Sequence, residues 1–184
     1  MNIVTLPDGS KYVVDVGFGG DGPTMPMPLI SEQPMRNLGA QEVRLVYDRI
    51  PQQVDKGQKF WIYQYRNGSE REWNSYYCFP GLEFMPEDLV VMNHYTSTYQ
   101  GGTNFQTRRV LVVRFLRERR EIVGKVMLVD GEVKRNLGGR TEMVMVCERE
   151  EERIRALGEH FNVSLTAEEV AGINGRNVEL VGSE

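Results

Sequence analysis

The sequence predicts an α+β protein whose β-strands are antiparallel and precede most of its helices. Short β-rich runs fill the chain up to about residue 146, and turn sequences join several of them. Helical periodicity dominates only after residue 148. Strands followed by terminal helices favour either an antiparallel β-barrel or a strongly curved sheet.

The first two strands are predicted to form a hairpin over residues 1–16. Asn2–Leu6 and Lys11–Val16 are rich in β-forming residues, and Pro7-Asp8-Gly9-Ser10 lies between them. Proline presets φ and glycine tolerates a positive φ, so this is a turn sequence. Four prolines then exclude a helix or a central strand, because proline lacks an amide hydrogen. We therefore expect an irregular loop over about residues 17–40.

A meander of strands is predicted in the middle of the chain. Glu42–Tyr47 and Phe60–Tyr65 are β-rich, and Asn67-Gly68 before Trp73–Phe79 is typical of a second hairpin. A short helix should follow, with Pro86-Glu87-Asp88 in front of Leu89–His94, because proline and acidic residues suit the first turn of a helix.

The second half should contain three more strands and two helices. Residues 105–117 and 121–130 are β-rich on either side of a charged turn, and Thr141–Val146 is a further strand. Apolar residues at helical spacing predict a helix over Glu148–Asn162, and a second short helix begins at Thr166.

Composition excludes several classes of protein. The chain has 184 residues, 40% of them hydrophobic, and a net charge of -4, as in an ordinary soluble domain. A pI near 5.4 without a basic stripe argues against nucleic acid as a partner. Its apolar runs are only strand-sized, so we expect neither a membrane span nor a signal peptide, and a cytoplasmic location. Cys78 and Cys147 lack CxxC spacing, which predicts reduced thiols and no metal site.

A glycine-rich loop follows the second predicted strand. Gly17-Phe18-Gly19-Gly20-Asp21-Gly22 matches G-x-G-x-x-G, but a dinucleotide site needs a helix to begin there. Pro23 and Pro26 forbid that helix. Two interpretations remain: glycines that permit a tight turn, or a loop that lets a ligand approach the backbone closely.

Asp15 is an acidic residue in an otherwise apolar strand, Val13-Val14-Asp15-Val16. A buried carboxylate is costly unless it has a partner, so exposure on the solvent face is one interpretation. The other is a positioned carboxylate. Such a group orients a catalytic histidine and stabilises its imidazolium form.

Several segments, in order, resemble motifs of the arylamine N-acetyltransferase family. Asp15-Val-Gly-Phe-Gly19 resembles the family signature Asp-(Val/Ala)-Gly-Phe-Gly, and Trp73–Phe79 resembles its Trp-x-x-x-Tyr-x-Phe segment. Glu87–Asn93 is similar to its Asp-Phe-x-x-x-Asn helix, and Tyr95–Phe105 to its Thr-Ser-Pro-x-Ser-x-Phe loop. Met25-Pro-Met-Pro-Leu29 is most similar to the fungal members.

This resemblance implies a domain organisation. Family members have an N-terminal helical domain with a nucleophilic cysteine, a β-barrel with a histidine and an aspartate, and a C-terminal α/β lid. Residues 1–85 would form the barrel domain and residues 86–184 the lid-like region. The family's histidine would fall one residue before Met1, and its cysteine further upstream. We therefore expect the chain alone to be an inactive fragment that self-associates through an exposed barrel face.

The resemblance also implies a reaction and a set of site residues. In the family, a Cys-His-Asp triad transfers an acyl group from acetyl-CoA, or another acyl-CoA, to an aromatic amine or hydrazine without a metal, a reaction of xenobiotic metabolism. Asp15 matches the triad aspartate. Phe18 would contribute to the acceptor pocket. The residues expected near coenzyme A are Gly19, Gly20, Thr103 and Phe105.

The chain's own cysteines are not expected to replace the missing nucleophile. Cys78 lies in a strand and is predicted to be an inert core residue. Cys147 precedes an acidic helix, which should raise its pKa and suppress the thiolate. The spacing brings neither cysteine together with His94 or His160. An alternative function is therefore a non-catalytic protein that binds coenzyme A or an aromatic ligand, or regulates a full-length relative.

Overall fold

The computed structural model describes residues 1–101 and 104–182 and shows an α+β fold, as predicted. The chain divides into two compact units. The first comprises Met1–Leu82, Arg117–Gly124 and Leu137–Arg140. The second comprises Glu83–Leu116, Lys125–Asn136 and Thr141–Glu184. In the described part of the chain, no helix is both long and apolar enough to cross a membrane.

A three-stranded antiparallel sheet opens the first unit. Its strands are β1 (Asn2–Thr5), β2 (Lys11–Val14) and β3 (Met27–Pro28), in the order β1-β2-β3. The predicted hairpin is confirmed: the Leu6 amide donates to the Ser10 carbonyl over 2.8 Å, and Gly9 adopts a φ of 84°. Strand β2 ends one residue before Asp15, which therefore opens the loop and is not part of the strand.

The second sheet contains β4 (Met35–Arg36), β5 (Gln41–Asp48), β6 (Phe60–Asn67) and β7 (Asn74–Phe79), in that order. The predicted meander is confirmed, whereas the loop predicted over residues 17–40 contains the short strands β3 and β4. Alternate side chains of a strand point to the same face of its sheet. The inward-facing side chains of the two sheets pack together in one core. Its buried residues are Val13, Met27, Val43, Leu45, Tyr63 and Phe79.

Two helices begin the second unit. Helix α1 (Pro86–Thr98) continues past the residues predicted for it, and none of its residues is buried. Helix α2 (Phe105–Arg108) corrects the prediction of a strand beginning at residue 105. The physical reason is local: the Asn104 side chain accepts a hydrogen bond from the Gln106 amide and caps a helical turn.

The third sheet contains β8 (Leu111–Glu118), β9 (Glu121–Val129), β10 (Glu132–Leu137) and β11 (Arg140–Val146), in the order β11-β10-β9-β8. The sequence did not predict β10, whose charged residues hide its periodicity. Helices α3 (Glu150–Phe161) and α4 (Ala167–Ala171) follow, as predicted. The core of the second unit consists of Val126, Leu128, Val133, Cys147, Ala156, Leu157 and Phe161.

A buried ion pair connects α3 to the last described residues. Arg153 pairs with Glu150 and donates from Nη2 to the Val178 carbonyl over 2.9 Å. Its Nη1 donates to the Asp130 carbonyl over 3.2 Å, and Glu150 Oε1 accepts from the Leu180 amide over 2.9 Å. The C-terminal segment is thus fixed to α3 and to the β9–β10 turn.

Candidate active site

The Asp15 carboxylate is held at the start of the glycine-rich loop by three hydrogen bonds. Its Oδ1 accepts from the Gly17 amide over 3.0 Å and from the Phe18 amide over 3.2 Å. Its Oδ2 accepts from the Tyr77 hydroxyl over 2.7 Å. Asp15 is half-buried, so the structure combines the two interpretations left open by the sequence: the carboxylate is both partnered and accessible.

Strand pairing brings Tyr77 to this position. Tyr63 of β6 pairs directly with Tyr77 of β7, and a β-bulge follows between Tyr63 and Gln64. A bulge re-aims the side chains beside it. The Tyr63 hydroxyl donates to the Asp21 carbonyl over 2.9 Å. The two tyrosines therefore hold opposite ends of the loop.

The Phe18 ring packs against three tyrosines of the second sheet. Ring centroids lie 4.9 Å apart for Tyr77, 5.2 Å for Tyr76 and 6.2 Å for Tyr63. These separations suit tilted and edge-on aromatic contacts. Phe18 still remains 40% exposed, so its ring is both fixed and available to a ligand.

The glycines after Phe18 make the loop tight and leave one backbone surface open. The Gly22 amide donates to the Gly19 carbonyl over 2.9 Å, which closes a turn. Gly19 adopts a φ of 85°, and a Cβ atom added there would meet no heavy atom within 4 Å. At Gly22, the same atom would lie 3.1 Å from the Gly19 carbonyl oxygen.

The tyrosines around the loop stay protonated. Burial raises the pKa of Tyr77 well above its ordinary value of 10.0, and the hydrogen bond to Asp15 raises it further. Burial likewise raises the pKa of Tyr63, followed by the charge of Asp21. At neutral pH, Tyr77 is therefore a hydrogen-bond donor to a carboxylate.

The other expected coenzyme residues belong to the second unit. Phe105 is the first residue of α2 and is 64% exposed, with the Arg109 guanidinium 5.5 Å from its ring. A cavity of about 430 Å³ is lined by Phe105, Arg109, Asn104, Arg108 and Asp130. Thr103 lies outside the described residues.

The two cysteines differ from each other in exposure. Cys78 is exposed, because it lies between Tyr77 and Phe79 on the opposite face of β7, so the expectation of a core residue is wrong. Cys147 is buried. Burial, followed by the charge of Glu152, raises the pKa of the Cys147 thiol, as expected.

Comparison with known proteins gives the family. A model of the family described as N-acetyltransferase matches residues 1–170. The chain belongs to the arylamine N-acetyltransferase family. An N-malonyltransferase, FDB2, from Fusarium pseudograminearum is 34% identical to this chain, and the match covers 94% of this chain and 52% of that protein. The protein of the same name from Gibberella moniliformis is also 34% identical, and the match covers 86% of this chain and 48% of that protein.

Solved arylamine N-acetyltransferases share the fold. The enzyme from Salmonella typhimurium aligns with a TM-score of 0.70 at 25% identity, over 93% of this chain and 58% of that one. The Mycobacterium marinum enzyme in complex with CoA aligns with a TM-score of 0.71 at 22% identity, over 98% and 60%. This chain spans about half the length of the curated relatives it matches, at 52% and 48%.

Sequence reasoning missed the tyrosines of this arylamine N-acetyltransferase chain. The family resemblance identified Asp15 and Phe18, and the structure places them together at the loop. The family resemblance did not identify Tyr63 or Tyr77 as the partners of Asp15 and Phe18. The available signal was the concentration of tyrosines in the two predicted strands, and the direct pairing of Tyr63 with Tyr77 puts these two side chains on one sheet face.

Proposed function

We propose that this chain provides the aspartate and the acceptor loop of a coenzyme A-dependent N-acyltransferase. In this reaction, a Cys-His-Asp triad moves an acyl group from a coenzyme A thioester to an aromatic amine or hydrazine. The observation that supports it best is the Asp15 carboxylate, held by Tyr77 and by two loop amides. Membership of the arylamine N-acetyltransferase family supports the same reaction class.

Asp15 is suited to orient a histidine. A carboxylate offers about four lone-pair positions, and three hydrogen bonds occupy the Asp15 oxygens. The remaining capacity can accept an imidazole N–H. Such a bond fixes the tautomer in which the other ring nitrogen takes a proton from the cysteine, and it stabilises the imidazolium that results.

Phe18 is suited to contact an aromatic acceptor. Its contacts with the tyrosines fix the ring at low entropic cost, and its exposed part can make edge or offset contacts with a second ring. An arylamine bound there would lie beside the loop that carries Asp15. Phe18 would therefore select aromatic over aliphatic amines.

The open backbone at Gly19 is the proposed approach for the coenzyme, and Gly20 is the next residue of the same loop. No heavy atom lies within 4 Å of a Cβ position at Gly19, so a ligand can reach the main chain there. Phe105 and Thr103 are the other proposed contacts, by family resemblance. The names of the fungal relatives, and the CoA complex of the Mycobacterium marinum enzyme, support malonyl-CoA and acetyl-CoA as the donors to compare.

Calorimetry on the purified chain tests the coenzyme part of this proposal. We expect saturable heat with coenzyme A, and loss of that heat in Gly19→Val. Gly9→Val is the matched control, because Gly9 has nearly the same φ, 84° against 85°, and an equally open Cβ position. Equal losses in both variants, or no saturable heat in the unaltered chain, would contradict the assignment.

Catalysis is tested in a fusion that places the N-terminal segment of the Fusarium relative ahead of Met1. We expect N-acylated aniline by mass spectrometry with acetyl-CoA or malonyl-CoA. Asp15→Asn should reduce the rate by about 10⁴-fold, as loss of the aspartate does in triad enzymes. Coenzyme binding without acyl transfer by a folded fusion would instead favour the non-catalytic binding function. An Asp15→Asn fusion of unchanged rate would exclude Asp15 from the triad.

A further inference from the structure

A second cavity, of about 570 Å³, lies entirely within the first compact unit. Its walls come from the loop around residues 24–40 and from the β8–β9 and β10–β11 turns. Three of its lining residues are arginines: Arg36, Arg117 and Arg120. Its volume is within the range typical of small-ligand sites, and neither Asp15 nor Phe18 lines it.

The three arginines have unused hydrogen-bonding capacity. In the part of the chain that the structure describes, none of them forms an ion pair with a carboxylate. Arg36 donates from Nε to the Gly39 carbonyl over 2.9 Å. That bond fixes its guanidinium and leaves the terminal N–H groups free to bind a carboxylate or phosphate in a bidentate manner.

The wall beside Arg36 is preorganised by a buried amide. Asn37 donates to the Gly22 carbonyl over 3.1 Å and to Gln41 Oε1 over 2.8 Å, and it accepts from the Thr24 amide over 2.7 Å. The Gly39 amide donates to the Ile122 carbonyl over 3.3 Å. Hydrogen bonds therefore connect both sides of the cavity, and the site exists without a ligand.

The remaining lining residues define the kind of ligand. Met25, Ile122 and Val123 supply apolar wall, whereas Glu118 and Glu121 offset part of the positive charge. A polyanion would be repelled by these two glutamates. A small ligand with one or two negative charges can bind the arginines without contacting the glutamates. We propose that this cavity binds a small organic anion, with its carboxylate or phosphate group on the arginines and an apolar body against the hydrophobic wall.

Calorimetric titration of the purified chain with four probes tests this proposal. Phenyl phosphate and benzoate carry the two anionic groups on an aromatic body, inorganic phosphate lacks the body, and benzyl alcohol lacks the charge. We expect one saturable site for phenyl phosphate, benzoate or both, and weaker binding of the other two probes. No saturable site for either aromatic anion would overturn the proposal. Equal binding of inorganic phosphate or benzyl alcohol would also overturn it.

Substitutions locate the site. Arg117→Gln and Arg120→Gln should each weaken binding by about tenfold or more, because each removes a charge-assisted hydrogen bond. Arg71→Gln is the matched control, since Arg71 is also exposed and does not line the cavity. If Arg71→Gln weakens binding to the same extent, the effect is one of overall charge and the cavity is not the site. Binding that withstands both cavity substitutions would place the anion elsewhere.

Discussion

The Tyr77 hydroxyl is the side-chain group that holds Asp15, over 2.7 Å. Tyr77→Phe keeps the ring and its contact with Phe18 but removes the donor, so the carboxylate loses one charge-assisted bond. Because Asp15 is half-buried, we expect unfolding free energy to fall by about 1 kcal/mol in urea denaturation. In the fusion with the N-terminal segment of the Fusarium relative, kcat should fall while KM for the acyl-CoA stays unchanged. Tyr47→Phe is the control, since Tyr47 is 45% exposed, and a loss as large there would remove the special role of Tyr77.

Gly131 and Gly158 are two glycines for which alanine should have opposite effects. At Gly131, an added Cβ would lie 2.5 Å from the Cys147 carbonyl oxygen, so the backbone must move and Gly131→Ala should destabilise by about 2 kcal/mol. At Gly158, within α3, nothing lies within 4 Å, so Gly158→Ala should stabilise by about 0.8 kcal/mol. Urea denaturation measures both changes. A neutral Gly131→Ala would show that the two backbones are not in close contact.

At the scale of elements, strands β6 and β7 carry tyrosines whose pKa values burial raises: Tyr63, Tyr76 and Tyr77. A folded-state pKa above the unfolded value of 10.0 gives a contribution that is fully present below pH 10 and is lost as the pH rises beyond it. We therefore expect three of the eight tyrosines to stay protonated past pH 10 until the protein unfolds. Phenolate absorbance and circular dichroism check this together. Ionisation of all eight near pH 10 in the folded protein would contradict it.

Local sequence predicted the elements where a single period dominates. Strand β5 alternates buried and half-buried residues over most of its length, and β6 and β7 flank a turn sequence, so all three were found. The sequence did not predict the helix α2 at residues 105–108 or the strand β10. Helix α2 depends on one capping side chain, Asn104, and β10 depends on pairing with β9 and β11, which its charged residues do not signal.

The candidate site was predictable only in part for a similar reason. The motif around Asp15 is contiguous, so a family signature could identify it together with Phe18. Tyr77 lies 62 positions from Asp15, and the register of β6 against β7 fixes where its hydroxyl reaches. The arginine cavity combines three separate parts of the chain, so no single sequence motif represents it.

At the scale of the whole molecule, helix α1 presents apolar residues to solvent. Leu89, Val90 and Val91 are 54%, 68% and 69% exposed, and no residue of the helix is buried. Contiguous exposed apolar surface promotes association, so the purified chain should form concentration-dependent oligomers in sedimentation velocity experiments. Replacing Val90 and Val91 by glutamate should shift the population to monomer. Val54→Glu, at an isolated residue that is 97% exposed, should not. A monomer at every concentration would contradict the prediction.

The ion pair of Arg153 and Glu150 has a consequence for proteolysis. Residues 172–180 have no helix or strand, and Arg176 is exposed, so trypsin would be expected to cut there early. However, the Val178 carbonyl and the Leu180 amide are bonded to side chains of α3. A protease needs an extended stretch of free backbone, so cleavage at Arg176 must wait until these bonds open. Arg176 should therefore be cut more slowly than Arg71, and the rate at which this segment is lost would report how often it detaches from α3.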